Sequence, residues 1–121
     1  MQGIIETPAY LRAADQAGMT DGERESAIVT IAKNPLIGDE IRETGGCRKV
    51  RVAGRGKGKS GGYRVITYYG GRDVPVFLLT VFSKGQRADL TQNERNGLAK
   101  MTKQLVKTLG PRFKVLKEPN E

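Results

Sequence analysis

Residues 53–69 read AGRGKGKSGGYRVITYY, and the two halves of this stretch make opposite demands on the chain. The first half imitates a nucleotide-binding P-loop, G-x-x-x-x-G-K-[ST]: Gly58, Lys59 and Ser60 complete its end, but Ala53 stands where the first glycine belongs. The second half decides the matter. A P-loop must run into a helix, whose N-terminus helps to hold the phosphate, whereas YRVITYY is rich in β-branched and aromatic residues and reads as a strand. The glycines therefore connect two strands, and Arg55, Lys57 and Lys59 place charge on that connection. It is either a solvated hairpin loop or a loop that grasps phosphate.

Working outward, CRKVRVA at 47–53 and PVFLLTVFS at 75–83 supply the neighbouring strands, with GGRD at 70–73 as a hairpin turn. Before them GIIET is a short strand, and Thr7-Pro8 open a helix that Gly18 closes. Thr20 and Glu23 form a T-x-x-E capping box, so a second helix is predicted from Asp21 to Lys33 with Ala27, Ile28, Ile31 and Ala32 buried; Asn34-Pro35 ends it. LIGDEIRETGG at 36–46 reads as turn. Thr91 and Glu94 repeat the box for a helix from Gln92 to Leu109, with Leu98, Met101, Leu105 and Leu109 at core spacing, and Gly110-Pro111 stop it. RFKVLKEPNE adds a short strand or stays loose. The expected fold is α+β in one domain, 1–121, of order β-α-α-β-β-β-α: an antiparallel meander with helices packed mainly on one face.

At 121 residues the chain suits one modest core. No apolar run reaches the length of a membrane span, and the N-terminus has neither the basic region nor the apolar core of a signal peptide, so a cytoplasmic protein is expected. The single Cys47 forms no internal disulfide, and with no histidine and no second cysteine there is neither a zinc-type ligand set nor a partner to activate a thiol nucleophile. No cofactor or metal is expected.

The formal charge of +8 is unevenly spread: residues 1–46 carry four basic and eight acidic side chains, and 47–121 carry seventeen basic and five acidic ones. Arg48, Lys49, Arg51, Arg55, Lys57, Lys59, Arg64 and Arg72 all precede the next acidic residue, Asp73. Such a block reads as a polyanion-binding surface for nucleic acid, against the plainer reading of a solvated basic face. Alternation in RKVRV puts Lys49 and Arg51 on one face and Val50 and Val52 on the other, toward the helices. Arg64 opens the next strand and Lys84 and Arg87 follow the third, so an antiparallel meander is expected to bring these five cations to one sheet edge or groove.

The arrangement GGCRKVRVAGRGKGKSGGYRVITYY followed by VFLLTVFSKGQRADLT resembles the RelE superfamily of toxin-antitoxin ribonucleases, and within it the HigB-type subgroup, in which a G-K-G-K-x-G-G loop precedes an aromatic-rich strand. The resemblance implies a RelE-like, microbial ribonuclease-like fold. It also implies a toxin that enters the ribosomal A site and cuts translated mRNA, held inactive by a cognate antitoxin encoded beside it, with operon DNA contacted only through that antitoxin and the free toxin monomeric. By the same resemblance Lys49 and Arg51 match the family's paired basic residues, Lys49 being the candidate general base with its pKa lowered by crowding among like charges. Arg64 matches the transition-state arginine, and Lys84, with Arg87 a weaker match, falls where phosphate is held or the leaving group assisted. Arg48, Arg55, Lys57 and Lys59 are assigned to ribosomal or messenger RNA backbone. The tyrosine that some relatives carry near the C-terminus has no counterpart after Tyr69, which leaves Tyr63, Tyr68 or Phe82 for its role. The competing class is a basic RNA- or DNA-binding module on the same fold without catalysis.

Overall fold

The computed structural model describes residues 2–54 and 62–117, with side chains as far as Thr108. Its elements are β1 (Ile4–Glu6), α1 (Pro8–Gln16), α2 (Asp21–Lys33), β2 (Asp39–Glu40), β3 (Arg48–Val52), β4 (Tyr63–Tyr69), β5 (Val76–Ser83) and α3 (Gln92–Lys117). They build an α+β fold on one five-stranded sheet, in the order β1-β5-β4-β3-β2. The expected meander is β3-β4-β5, antiparallel throughout. Two additions flank it. β1 pairs parallel with β5, which makes the sheet mixed, and β2, inside the stretch read as turn, adds two residues antiparallel to β3.

The helix starts follow their capping chemistry. Thr7 accepts from the Tyr10 amide at 3.1 Å and donates its hydroxyl to Leu78 O at 2.7 Å, so one side chain caps α1 and ties it to β5. In the Thr20 box the Glu23 amide donates to Thr20 Oγ1 at 3.1 Å, and the Thr20 amide donates to Glu23 Oε1 at 2.8 Å. Thr91 and Glu94 repeat both bonds before α3. The end of α3 corrects the sequence reading: the helix continues through Gly110-Pro111 to Lys117, leaving neither a strand nor a loose end over 111–117. Proline withholds one donor from the hydrogen-bond ladder and clashes locally, at about 3 kcal/mol, a penalty that lengthens the odds against a helix without forbidding it.

Two apolar clusters lie on opposite faces of the sheet. On one, Tyr10, Ala14, Ala27 and Ile31 of α1 and α2 meet Val50, Val52, Tyr63, Val65, Val76, Leu78 and Val81. On the other, Leu98 of α3, with Met101 and Leu105 partly buried beside it, meets Cys47, Ile66, Tyr68, Phe77, Leu79 and Phe82. Two helices thus share one face, as expected, and α3 covers part of the other. Cys47 is fully buried, and desolvation pushes its thiol up to about 11, which fits an inert core cysteine.

β5 does not alternate evenly. Ile66 pairs with Thr80 and Thr67 with Leu78, so Leu79 is an extra residue in a β-bulge. The consequence falls on Phe82. Strict alternation from Val76 would send it to the α1 face with Val76 and Leu78; the bulge turns it to the α3 face, opposite Arg64.

Candidate active site

Register places the cations. In the β3–β4 ladder Arg51 stands directly opposite Arg64, and Lys49 opposite Ile66, while Arg64 in turn faces Phe82 of β5. Cross-strand partners share a face, so Lys49, Arg51, Arg64 and Phe82 all lie on the α3 side. They occupy the end of it near the turn after β5. The valines between them, Val50 and Val52, point into the α1 and α2 core, which is what holds the cations outward.

Arg64 is 6% exposed, and its guanidinium donates to the Tyr63 carbonyl at 3.3 Å. Desolvation and then the nearby Arg51 charge hold it below the ordinary arginine value. Arg51 itself is exposed and forms no ion pair with a carboxylate among the described residues. Lys49 is placed differently, with its Nζ 3.2 Å from Asp89 Oδ1. Asp89 also lies 3.5 Å from Arg95 Nη2 and accepts from the Leu90 amide at 2.8 Å. Burial opposes its charge, but Leu90, Lys49 and Arg95 prevail and hold the carboxyl below the usual range.

Arg87 stands over Phe82, its guanidinium carbon 4.7 Å from the ring centroid, and with Phe82 it lines a cleft that Ala13, Gln16 and Ala17 of α1 border. Its Nη1 also meets Glu94 Oε1 at 2.7 Å, and this bond with Arg87 is the leading cause that keeps Glu94 below the usual carboxylate value. Lys84 begins the turn after β5; its amide donates to Gly62 O at 2.9 Å and its ammonium to Ala88 O at 3.3 Å. Gly54 and Gly62 are the described residues on either side of the glycine-lysine segment. Arg55, Lys57 and Lys59, expected to bind RNA backbone, lie outside the described residues.

Other sequence candidates go elsewhere. Arg48 pairs with Thr67 in register and points away from Lys49 and Arg51; its Nη1 donates to Leu36 O and Gly38 O at 3.1 and 2.9 Å, fastening the turn before β2. Tyr63 faces the α1 and α2 core and donates its hydroxyl to Glu23 at 2.9 Å. Tyr68 is on the α3 side in the same buried cluster as Phe82, but its cross-strand partner is Phe77, four positions along β4 from Arg64. Of the three aromatics, Phe82 alone stands beside Arg64.

Two clefts meet at Lys49. One, of about 450 Å³, is lined by Ile37, Gly38, Asp39, Lys49 and Arg51. The other, of about 220 Å³, is lined by Asp39, Glu40, Ile41, Arg42, Lys49, Asp89 and Arg95. Gly38 shapes the first: its φ is +95°, and a Cβ there would stand 2.5 Å from Lys49 O, so only glycine lets the β2 edge close on β3. Asp89 and Glu94 escaped the sequence reading. The Thr91 box marked Glu94 as a cap and nothing more, and the Lys49–Asp89 contact spans forty positions without a local signal.

Among the described residues no group of histidine, cysteine or carboxylate side chains is arranged to hold a metal ion. The described face brings together two cross-strand arginines, a lysine on the same strand face, and an arginine over an aromatic ring. The family model described as the RelE toxin of the RelE/RelB toxin-antitoxin system matches residues 3–121. Since that match covers nearly the whole chain, sheet, cationic face and helices together, the protein belongs to the RelE toxin family.

Proposed function

We propose that this toxin is a ribosome-dependent, metal-independent endoribonuclease of a type II system, which enters the ribosomal A site, cuts translated mRNA and so inhibits translation. The observation that carries the reading is the Arg51–Arg64 cross-strand pair, with Lys49 on the same face and Phe82 and Arg87 beside it. Toxins of the family are in general endoribonucleases, and membership implies an antitoxin as partner. The HigB-type assignment, resting on GKGKSGG before YRVITYY, belongs to the same proposal. So do a monomeric free toxin, contact with operon DNA only through the antitoxin, and a cytoplasmic site of action where ribosomes are. No described helix is long and apolar enough to cross a membrane.

The reaction requires the 2′-oxygen to attack phosphorus as its proton leaves, the phosphorane's charge to be stabilised, and the departing 5′-oxygen to be protonated. Arg64 and Arg51 serve the second need, presenting preset donors to the phosphate oxygens. Lys49, carrying Asp89 as counter-ion, acts here as a fixed cation beside the developing 2′-oxyanion in place of the general base expected from crowding, and the proton passes to water. Lys84 supplies a proton to the 5′-oxygen. Arg87, over the buried Phe82 ring, holds a neighbouring phosphate. The products are a 2′,3′-cyclic phosphate and a 5′-hydroxyl end.

Induced expression of wild type and Arg64→Ala in bacteria tests this directly, following growth and mapping mRNA 5′ ends. Growth arrest with in-frame cuts in translated messages, both absent in the variant, is the expected result. Folded wild-type protein that neither arrests growth nor cuts would transfer the reading to a non-catalytic binding module.

A further inference from the structure

The segment that leads into α3 places two carboxylates against two cations of the site. Asp89 meets Lys49 at 3.2 Å and Glu94 meets Arg87 at 2.7 Å. Each carboxylate is itself held from a second side. Asp89 accepts from the Leu90 amide and lies near Arg95; Glu94 accepts from the Thr91 amide as part of the α3 cap. Cation, carboxylate and helix start thus form two short chains, Lys49–Asp89–Arg95 and Arg87–Glu94–Thr91. The second continues from Arg87 to the Phe82 ring, whose own direction is set by the β5 bulge.

Their contribution to folding is small. Asp89 and Glu94 side chains are 45% and 37% exposed, and solvent screens exposed pairs of this kind strongly. Their contribution to orientation is larger in kind. A free lysine or arginine side chain samples many rotamers, whereas catalysis needs the charge held where charge develops. A carboxylate beside a polyanion site also costs affinity, so tighter RNA binding does not explain these pairs.

We infer that Asp89 and Glu94 are positioning residues, which aim Lys49 and Arg87 at the bound phosphates from the capped segment that opens α3. The inference rests on the ribonuclease reading above. Neither carboxylate touches RNA in it; each acts through its cation.

The test measures cleavage of a defined mRNA on purified ribosomes, as the limiting rate at saturating toxin and the half-saturating toxin concentration, for Asp89→Asn, Asp89→Glu and Glu94→Gln. Glutamine keeps the amide cap and removes only the charge. Expected are limiting rates lower by on the order of 10-fold or more for Asp89→Asn and Glu94→Gln, with half-saturation within about threefold and unchanged melting temperature. Asp89→Glu should recover part of the loss. Asp21→Asn, whose carboxylate pairs with Arg24 on α2 away from this face, is the control and should cleave like wild type. Unchanged rates, a loss that tracks melting temperature, or faster cutting by Asp89→Asn would each overturn the inference, the last by making the carboxylates inhibitory. If folded wild type leaves the message uncut on the ribosome, the ribonuclease reading itself fails. A dead Arg64→Ala beside a fully active Asp89→Asn sinks only the positioning role.

Discussion

The two faces of β3, β4 and β5 carry neighbouring residues to different ends. Val65 and Leu78 point into the core of α1 and α2 and are wholly buried, whereas Arg64, one position before Val65, opens on the cationic end of the opposite face. One face is closed along its length by two helices. The other is closed by α3 over Ile66, Tyr68, Phe77 and Leu79, and toward its end buried Phe82 and Arg64 stand beside the more open Lys49 and Arg51. The contrast teaches that a small domain separates stability from chemistry by the pleat of a strand. Changes on the first face should cost folding, and changes on the second should cost activity.

In Arg64→Ala, on the cationic face, ribosome-programmed cleavage should fall roughly 100- to 1,000-fold, the usual effect of removing a transition-state donor. Its urea midpoint should move much less than that of Leu78→Ala. On the closed face, Leu78→Ala should lose about 2–5 kcal/mol by equilibrium unfolding while the folded fraction cuts at the wild-type rate. A Leu78→Ala protein that stays stable but loses cleavage would erase the distinction between the faces.

Gly38→Ala should affect both sides at once. It forces a side chain into positive φ and against Lys49 O, at about 1–3 kcal/mol, and should slow cleavage by shifting the strand that carries Lys49. Thr20→Ala removes the α2 cap on the closed side and should cost about 1 kcal/mol in unfolding, with cleavage by folded protein intact.

The smallest effect is in pH. Asp89 and Glu94 have depressed native pKa values, so the stability they contribute is present above their unfolded values of about 3.9 and 4.3 and is lost as pH falls through the lower native ones. Solvent screening keeps it slight. The drop in urea midpoint from pH 6 to pH 3 should be measurably shallower in the Asp89→Asn, Glu94→Gln double variant than in wild type. An identical slope would mean that these pairs are not formed in solution.

Much of the fold was legible because its signals are local. Capping boxes at Thr20 and Thr91 mark helix starts wherever they occur, since cap and amide are three residues apart, and α2 begins and ends where its sequence says. The alternation of RKVRV put Lys49 and Arg51 on one face before any partner strand was known. The short β2 was not legible, because two residues carry no period. The end of α3 was misjudged because Gly-Pro states a local penalty, and length and packing elsewhere in a helix outweigh such penalties.

By itself, then, the sequence determined the strand identity of YRVITYY, the failure of the P-loop reading, the basic second half and the outward cations of β3, all consequences of residue type and spacing within a few positions. Tertiary structure alone decided the rest. The β5 bulge, visible only in the pairing with β4, turned Phe82 toward Arg64, and the fold-back before α3 brought Asp89 to Lys49. The physical reason is common to both: a pleat or a cap is set by neighbours in the chain, whereas a register shift or an ion pair between distant segments is set by how whole elements pack.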